Sequence, residues 1–442
     1  VTVNRSAAER SVVLKGKLGD LLAAFHADVQ IYSHANGSYR GRRGEITLPE
    51  ELSDIVTGVF GFDTRPKHRA PHWQKSTTHN GPGGRNGVSA TEFAARYKFP
   101  SDFDGTGQNI AIIELGGGYR SSDLKLFFKE IGVPLPKVSS ISVDHAGNAP
   151  TTADSADGEV MLDLEVAGAA APKAKLAVYF APNTDKGFID AISAAVHDAQ
   201  RKPGVISISW GGPEDGEDPQ SVQAYHEVFA AAGALGITVC VASGDHGTAD
   251  LDAGHWDQKI HVDHPACDDL VLGCGGTQIN GSGADVVWND GTPFDPQTPG
   301  GGGWAGGGGI STIFAVPAYQ QKAKVGNSLA SGKPGRGVPG IAMSATNYFS
   351  RVDRSEGASG GTSAVAPLMA ALVARLNQAK KKNVGFLNPF LYVSVAKGVV
   401  HDVTSGTNAI KNTVQGYSAK AGWDACTGLG TPDGQAILAN LP

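Results

Sequence analysis

Two short apolar runs, Val205-Ile-Ser-Ile-Ser-Trp210 and Ile237-Thr-Val-Cys-Val-Ala242, flank a helical pattern from Gln220 to Leu235, and their reading decides the fold. Runs of this length, rich in β-branched residues, read as strands buried on both faces. The alternation extends upstream through a strand from Asn109 to Leu115, a helix from Gly158 to Ala171, a strand from Lys175 to Phe180 and a helix from Lys186 to Arg201. Strands and helices in strict turn predict an α/β fold, a parallel sheet with helices on both faces, because parallel neighbours need a crossover connection. Reacting groups gather beyond the carboxyl ends of such strands, and Asp245, in Ser243-Gly-Asp245, lies just past the last one. The next residue, His246, is set aside, since neighbours on an extended chain point to opposite sides.

Downstream, Gly360-Gly-Thr-Ser-Ala-Val-Ala-Pro367 places a serine at a Gly-rich turn before an apolar helix carrying Leu368, Ala371, Leu372, Ala374 and Leu376. Ser363 is the candidate nucleophile, held where helix N–H groups aim at a developing anion; the plainer alternative is a helix-capping serine. A serine hydroxyl needs a base. The segment Asp157-Gly-Glu-Val-Met-Leu-Asp-Leu-Glu-Val-Ala-Gly168 reads as a helix capped by Asp157, with Glu159 and Asp163 one turn apart on one face. Two carboxylates so placed repel when ionised and titrate as a pair. Glu165 points away from them and is expected to be solvated.

In their order and spacing these segments, with Ile-Ile-Glu-Leu-Gly-Gly-Gly-Tyr (112 to 119), Ser-Ile-Ser-Trp-Gly-Gly (207 to 212) and Gly-Trp-Asp-Ala-Cys-Thr-Gly-Leu-Gly (422 to 430), resemble the sedolisin family of acid-acting serine-carboxyl peptidases. The resemblance covers nearly the whole chain and implies a subtilisin-like architecture. By it Ser363 is the nucleophile, Glu159 the general base, Asp163 its orienting partner and Asp245 the oxyanion stabiliser, with Glu114 and Trp210 extending the network behind the base. It also implies one structural Ca2+ held by the Asp402 and Asp424 carboxylates and the carbonyls of Val403, Lys420 and Gly422; Lys420 departs from the glycine expected there. Hard oxygen donors suit that ion. Asp263, in His261-Val-Asp-His-Pro265, aligns with a substrate subsite residue of part of the family.

The chemistry gives the set its own reason. At pH 4 an ordinary histidine is protonated by roughly 300 to 1, whereas a glutamate is about half ionised. An aspartate stabilises an oxyanion only when protonated, because only then does it donate. Both demands imply work well below pH 7.

The first 64 residues are expected to form a small α/β unit, with strands Ser11 to Leu18 and Val29 to Tyr32 and helices Gly19 to His26 and Pro49 to Gly58. It resembles the carboxyl part of a sedolisin propeptide and is expected to be partial. Residues 65 to 88, rich in Pro, Gly, His and Arg, read as an exposed linker holding the processing site, and 89 to 442 as the catalytic domain. The first 80 residues carry eleven basic and eight acidic groups, net +3, leaving −9 for the remainder. Opposite charges favour association near neutrality, and acid weakens it by neutralising carboxylates. The expected product is a secreted, monomeric zymogen, masked by its own propeptide until acid releases it, that then cuts unfolded proteins or peptides in an acidic environment.

With 60 glycines in 442 residues and 18% charged residues, the chain reads as a loop-rich globular enzyme. A formal charge of −6 offers no basis for nucleic-acid binding. No apolar run suits a membrane span, and Val1 to Ala8 has neither the basic leader nor the apolar core of a signal peptide. Four cysteines are too few for a disulfide scaffold; Cys240 reads as a buried thiol, while pairing of Cys267 with Cys274 is left open. The Gly300 to Gly309 run could be a disordered linker on composition; its resemblance to the family's substrate-groove glycines implies instead a peptide-binding edge that borders the substrate. Two rival readings are a glycoside hydrolase, which has no use for Gly-Thr-Ser-Ala, and an inert zymogen or peptide-binding scaffold.

Overall fold

The computed structural model describes residues 2–34, 37–68, 85–153, 155–251, 255–295 and 302–442. Its centre is an eight-stranded sheet. Strands β1 (Asn109–Glu114), β2 (Lys137–Ser142), β3 (Lys175–Phe180), β4 (Val205–Ile208), β5 (Thr238–Ala242) and β6 (Leu272–Ile279) lie in the order β6-β5-β4-β1-β3-β2, all parallel. Two further strands complete it on β6: β7 (Asp285–Val287), antiparallel, and β8 (Ile341–Ser344), parallel.

Period-two alternation sends neighbouring strand residues into two separate cores. Ile110, Ile112, Leu176, Val178 and Cys240 join one; Ala111, Ile113, Ala177, Tyr179 and Val241 join the other. Helices α1 (Asp157–Ala170) and α4 (Thr362–Lys380) cover the first face, and α2 (Asp185–Val196) and α3 (Pro219–Ala234) the second. Both α1 and the first two-thirds of α4 are buried all round, which explains why neither shows a polar face in sequence.

The predicted alternation holds, with ends that shift for local reasons. Helix α2 stops at Val196 instead of Arg201, because the Asp198 carboxylate captures the N–H groups of Gln200 (2.9 Å) and Arg201 (2.8 Å) in a turn. Asp157 does not cap α1 from outside. It is the first helical residue, and its carboxylate reaches back to Thr151 N at 2.5 Å.

The N-terminal unit contains two hairpins, Thr2–Ser6 with Ser11–Lys15 and Asp28–His34 with Gly37–Arg43, and a helix, Leu18–Phe25. The helix expected over Pro49 to Gly58 is only a three-residue 3-10 turn, Glu50–Leu52. The chain then leads onto α3: Val59 N donates to Gln220 Oε1 at 3.1 Å and Thr57 Oγ1 to Glu227 at 3.2 Å. Most of the expected linker, 69 to 84, lies outside the described residues. All four cysteines are buried free thiols, so Cys267 and Cys274 are not paired. Among the described residues no helix is long and apolar enough to cross a membrane.

Candidate active site

Ser363 sits in the first turn of α4, buried, and Gly361 before it takes φ +107, a conformation that favours glycine. Gly361 has a second reason to lack a side chain: a Cβ there would strike the Asp245 carboxyl. Asp245 Oδ1 accepts from Thr362 N (2.7 Å) and Thr362 Oγ1 (2.8 Å), while buried Oδ2 has no hydrogen-bond partner among the described residues. Burial raises the Asp245 pKa to about 6, against the pull of the two Thr362 hydrogen bonds. Below that value Asp245 is a neutral acid whose second oxygen is free to donate beside the serine turn.

Glu159 and Asp163 project from α1 into the same buried space, and Glu114 enters from the end of β1. Burial pushes all three well above the ordinary carboxylate range. The Asp163 charge adds to the rise at Glu159 and Glu114, and the Ser363 hydroxyl is close enough to Glu159 to pull it partly back. Trp210 Nε1 donates to Glu114 Oε2 at 3.0 Å. Among the described residues no cation is one of the partners that shift these three acids, so they titrate as one interacting group.

Ser209, which sequence reasoning missed, joins Ser363 to Asp163. Pro367 lacks an N–H and cannot donate to the Ser363 carbonyl one turn back. That oxygen lies 3.3 Å from Ser209 Oγ, itself 2.9 and 3.0 Å from the two Asp163 oxygens. A hydroxyl has one proton, so both contacts are satisfied together only when Asp163 is protonated and donates to Ser209. Ser363 Oγ lies 3.4 Å from the Ser209 carbonyl. The proline in the apolar run was the available signal.

Glu165 is not solvated. It is buried on the same helix, accepting from Ser350 Oγ (2.8 Å) and Arg351 N (3.2 Å) of the hairpin Tyr348–Val352 and Ser355–Ser359, whose second strand leads into Gly360. The glycine run also differs from expectation. Residues 303–310 are buried, and Ala305 N donates to Asp245 O (3.0 Å) and Gly307 N to Gly244 O (2.7 Å). These glycines support the Asp245 turn instead of lining an open edge; a Cβ at Gly307 would collide with the Ser243 carbonyl. Asp263 is buried on the strand pair Gly212–Pro213 and Asp263–His264, beside Gly211. His246 packs against Trp304 with ring centroids 4.6 Å apart and the planes tilted by 41°.

At the C-terminal end, exposed Asp402 and buried Asp424 grip one loop. Gly422 N donates to Asp402 Oδ2 (2.8 Å), and Lys420 N to Asp424 Oδ2 (3.1 Å), while Asp424 Oδ1 accepts from Cys426 N and Thr427 N. Both carboxylates accept hydrogen bonds from the segment that carries the candidate carbonyls of Lys420 and Gly422, while Val403 directly follows Asp402; by residue type this all-oxygen set suits a hard cation.

Residues 1–65 match the Pro-kumamolisin activation domain family, and residues 146–418 match the Subtilase family. The chain is 46% identical to kumamolisin of Bacillus sp. (strain MN-32), over all of this chain and 80% of that protein. It is 29% identical to sedolisin of Pseudomonas sp. (strain 101), over 95% of this chain and 72% of that protein. A solved structure of Pseudomonas sedolisin, a serine-carboxyl proteinase complexed with two molecules of pseudo-iodotyrostatin, is similar with a TM-score of 0.68 at 29% identity, covering 81% of this chain and 98% of that one.

Proposed function

Because the chain belongs to the sedolisin family of serine-carboxyl peptidases, with a kumamolisin-type activation domain ahead of a subtilase-type peptidase domain, we propose that it cuts peptide bonds in acid through an acyl-enzyme on Ser363. Glu159 takes the Ser363 proton as Oγ attacks the carbonyl carbon. Asp245, protonated, donates from Oδ2 to the oxyanion. Glu159 then gives its proton to the leaving amine; water, deprotonated by the same carboxylate, releases the new acid and restores the serine. Asp163 orients Glu159, and Glu114 with Trp210 steadies the network behind it. Asp263 borders the bound peptide. The observation that carries this reading is the free, buried Oδ2 of Asp245 on a carboxyl with a pKa of about 6.

The remaining assignments belong to the same proposal. Residues 1 to 64 act as the activation domain, 65 to 88 as the linker cut during maturation and 89 to 442 as the peptidase. One Ca2+ ties the terminal loop through Asp402, Val403, Lys420, Gly422 and Asp424. The enzyme works as a secreted monomer in an acidic setting, on unfolded proteins or peptides.

Incubation at pH 4 and pH 7 with an unfolded protein, beside a Ser363→Ala variant, tests the reading. Acid-dependent cleavage that vanishes in the variant, with loss of roughly the first 80 residues, is the expected result. A rate that keeps rising through neutral pH, or cleavage that survives Ser363→Ala, refutes it. An intact, silent chain at both pH values favours the inert-zymogen reading.

A further inference from the structure

Just after the activation domain, Lys67 and His68 enter a pocket between α2 and α3. The His68 ring is fully enclosed, edge-on to Phe188 at 4.8 Å and with Nε2 3.3 Å from Tyr225 OH. Asn183 holds the main chain on both sides, accepting from His68 N at 3.0 Å and donating to His68 O at 2.6 Å. Lys67 Nζ reaches Asp185 at 2.8 Å and Glu217 at 3.5 Å, and His68 Nε2 lies 3.4 Å from Asp185. By residue type His68, Asp185 and Glu217 suit a metal ion, but the Lys67 ammonium already supplies the positive charge. The pocket is a site for a side-chain cation on a gripped peptide backbone.

The pocket continues the edge that carries the candidate active site. The Lys67 carbonyl lies 3.8 Å from where a Cβ on Gly212 would stand, two residues beyond Trp210, and Gly212 pairs with His264 next to Asp263. His264 is fully buried, feels the charges of His68, Asp185 and Lys67, and among the described residues neither ring nitrogen has a hydrogen-bond partner. An enclosed imidazole without partners beside a peptide-filled cavity is an unused recognition group.

Resting on the peptidase reading above, we propose that this pocket is a substrate subsite: once the activation segment leaves, it selects peptides carrying a lysine, arginine or histidine at one fixed position from the cleaved bond. The activation segment holds it by the same chemistry, an amide clamp on the backbone and a cation against Asp185. The site keeps its charge in acid. Although burial works against ionisation, His68 and Lys67 hold the Asp185 pKa down to about 2, whereas burial pushes Glu217 upward. A cation seated there keeps a charged partner at pH 4.

The test uses the full chain after acid activation and uncharged peptides in which one lysine is moved position by position, each paired with a norleucine control. The ratio of kcat/KM for the lysine and norleucine peptides should be about tenfold at one position and fall near one in Asp185→Asn/Glu217→Gln, the scale expected for one desolvated charge contact. Asp185→Asn alone serves if the double variant fails to fold. The same labelled peptides titrated into a Ser363→Ala chain whose linker has been cut by added active parent enzyme, and from which the released activation segment has been removed, give the ratio from binding without turnover. Loss of all cleavage then counts against the peptidase reading, while this subsite is still decided by binding. No positional preference in either assay, or one that survives loss of both carboxylates, overturns the subsite.

Discussion

A fully buried cluster of acids and a partly buried one differ in how identical residue types behave in them. Glu114, Glu159 and Asp163 gather with no cation among the partners that shift them, and all three are pushed well above the usual carboxylate range. Asp185 is only partly buried, and although desolvation works against its charge, Lys67 and His68 hold it down to about 2. Desolvation favours the neutral acid in both places; the partly buried Lys67 ammonium helps reverse the outcome in one of them. The first arrangement stores protons for catalysis at the cost of repulsion when they leave. The second keeps a fixed charge in acid, which suits recognition.

The two clusters have opposite pH signs. A carboxyl raised in the folded state binds protons that the unfolded chain releases, so its stabilisation is present in acid and is lost as pH rises through the folded value. Asp185, lowered, contributes above the ordinary aspartate range and loses that contribution only as pH falls through about 2. Mild acid therefore leaves the Asp185 contact to the activation segment in place. Of the pair, Glu217, which burial raises, is the partner that mild acid neutralises.

The largest break in the proton-storing cluster is Glu159→Gln. It should lower kcat by about ten-thousandfold or more at pH 4, since an amide cannot take the serine proton; a variant within tenfold of the parent would remove Glu159 from the role of base. Asp245→Asn should cost about a hundredfold at the optimum. It should also flatten the fall in rate across pH 6, because an amide N–H donates without titrating; an unchanged descending limb in the pH profile of kcat/KM would assign that limb elsewhere.

Glu165 sharpens the comparison, since it too is a raised, buried acid on α1, but with Ser350 and Arg351 N as partners and no contact with the serine. Glu165→Ala should cost about 1 to 3 kcal/mol in urea unfolding at pH 4 by leaving those donors unpaired. The difference from the parent should shrink at pH 7, where the parent has lost part of the proton-linked contribution. A loss that grows with pH would reverse the assigned shift. The smallest effect is expected from chelation at the Asp402 and Asp424 loop, a fall in Tm of about 5 °C. An unchanged Tm together with no calcium by metal analysis would remove the ion.

Much of the candidate site is legible because it follows periodicities. Glu159 and Asp163 are four residues apart on a recognisable helix, Ser363 opens an apolar one, and Asp245 ends an apolar strand. Glu165 was misread because helix spacing says which residues share a face but not what covers the opposite face. The hairpin that covers it comes from residues 348–359, far along the chain. Ser209 was missed for the same reason: its role depends on Pro367, in a helix far along the chain, leaving the Ser363 carbonyl free. The glycine run was read for the space it offers a ligand, whereas its backbone presses against Ser243 and Gly244.

The sequence by itself determined the alternation of strands and helices, the two apolar faces of the sheet, and the residue types able to do acid catalysis. These are local properties, set by side-chain period and intrinsic chemistry. Tertiary structure alone decided which carboxyl is protonated and which is charged. That choice depends on how much water each has lost and whether a cation shares its pocket, and both are fixed only when distant segments meet.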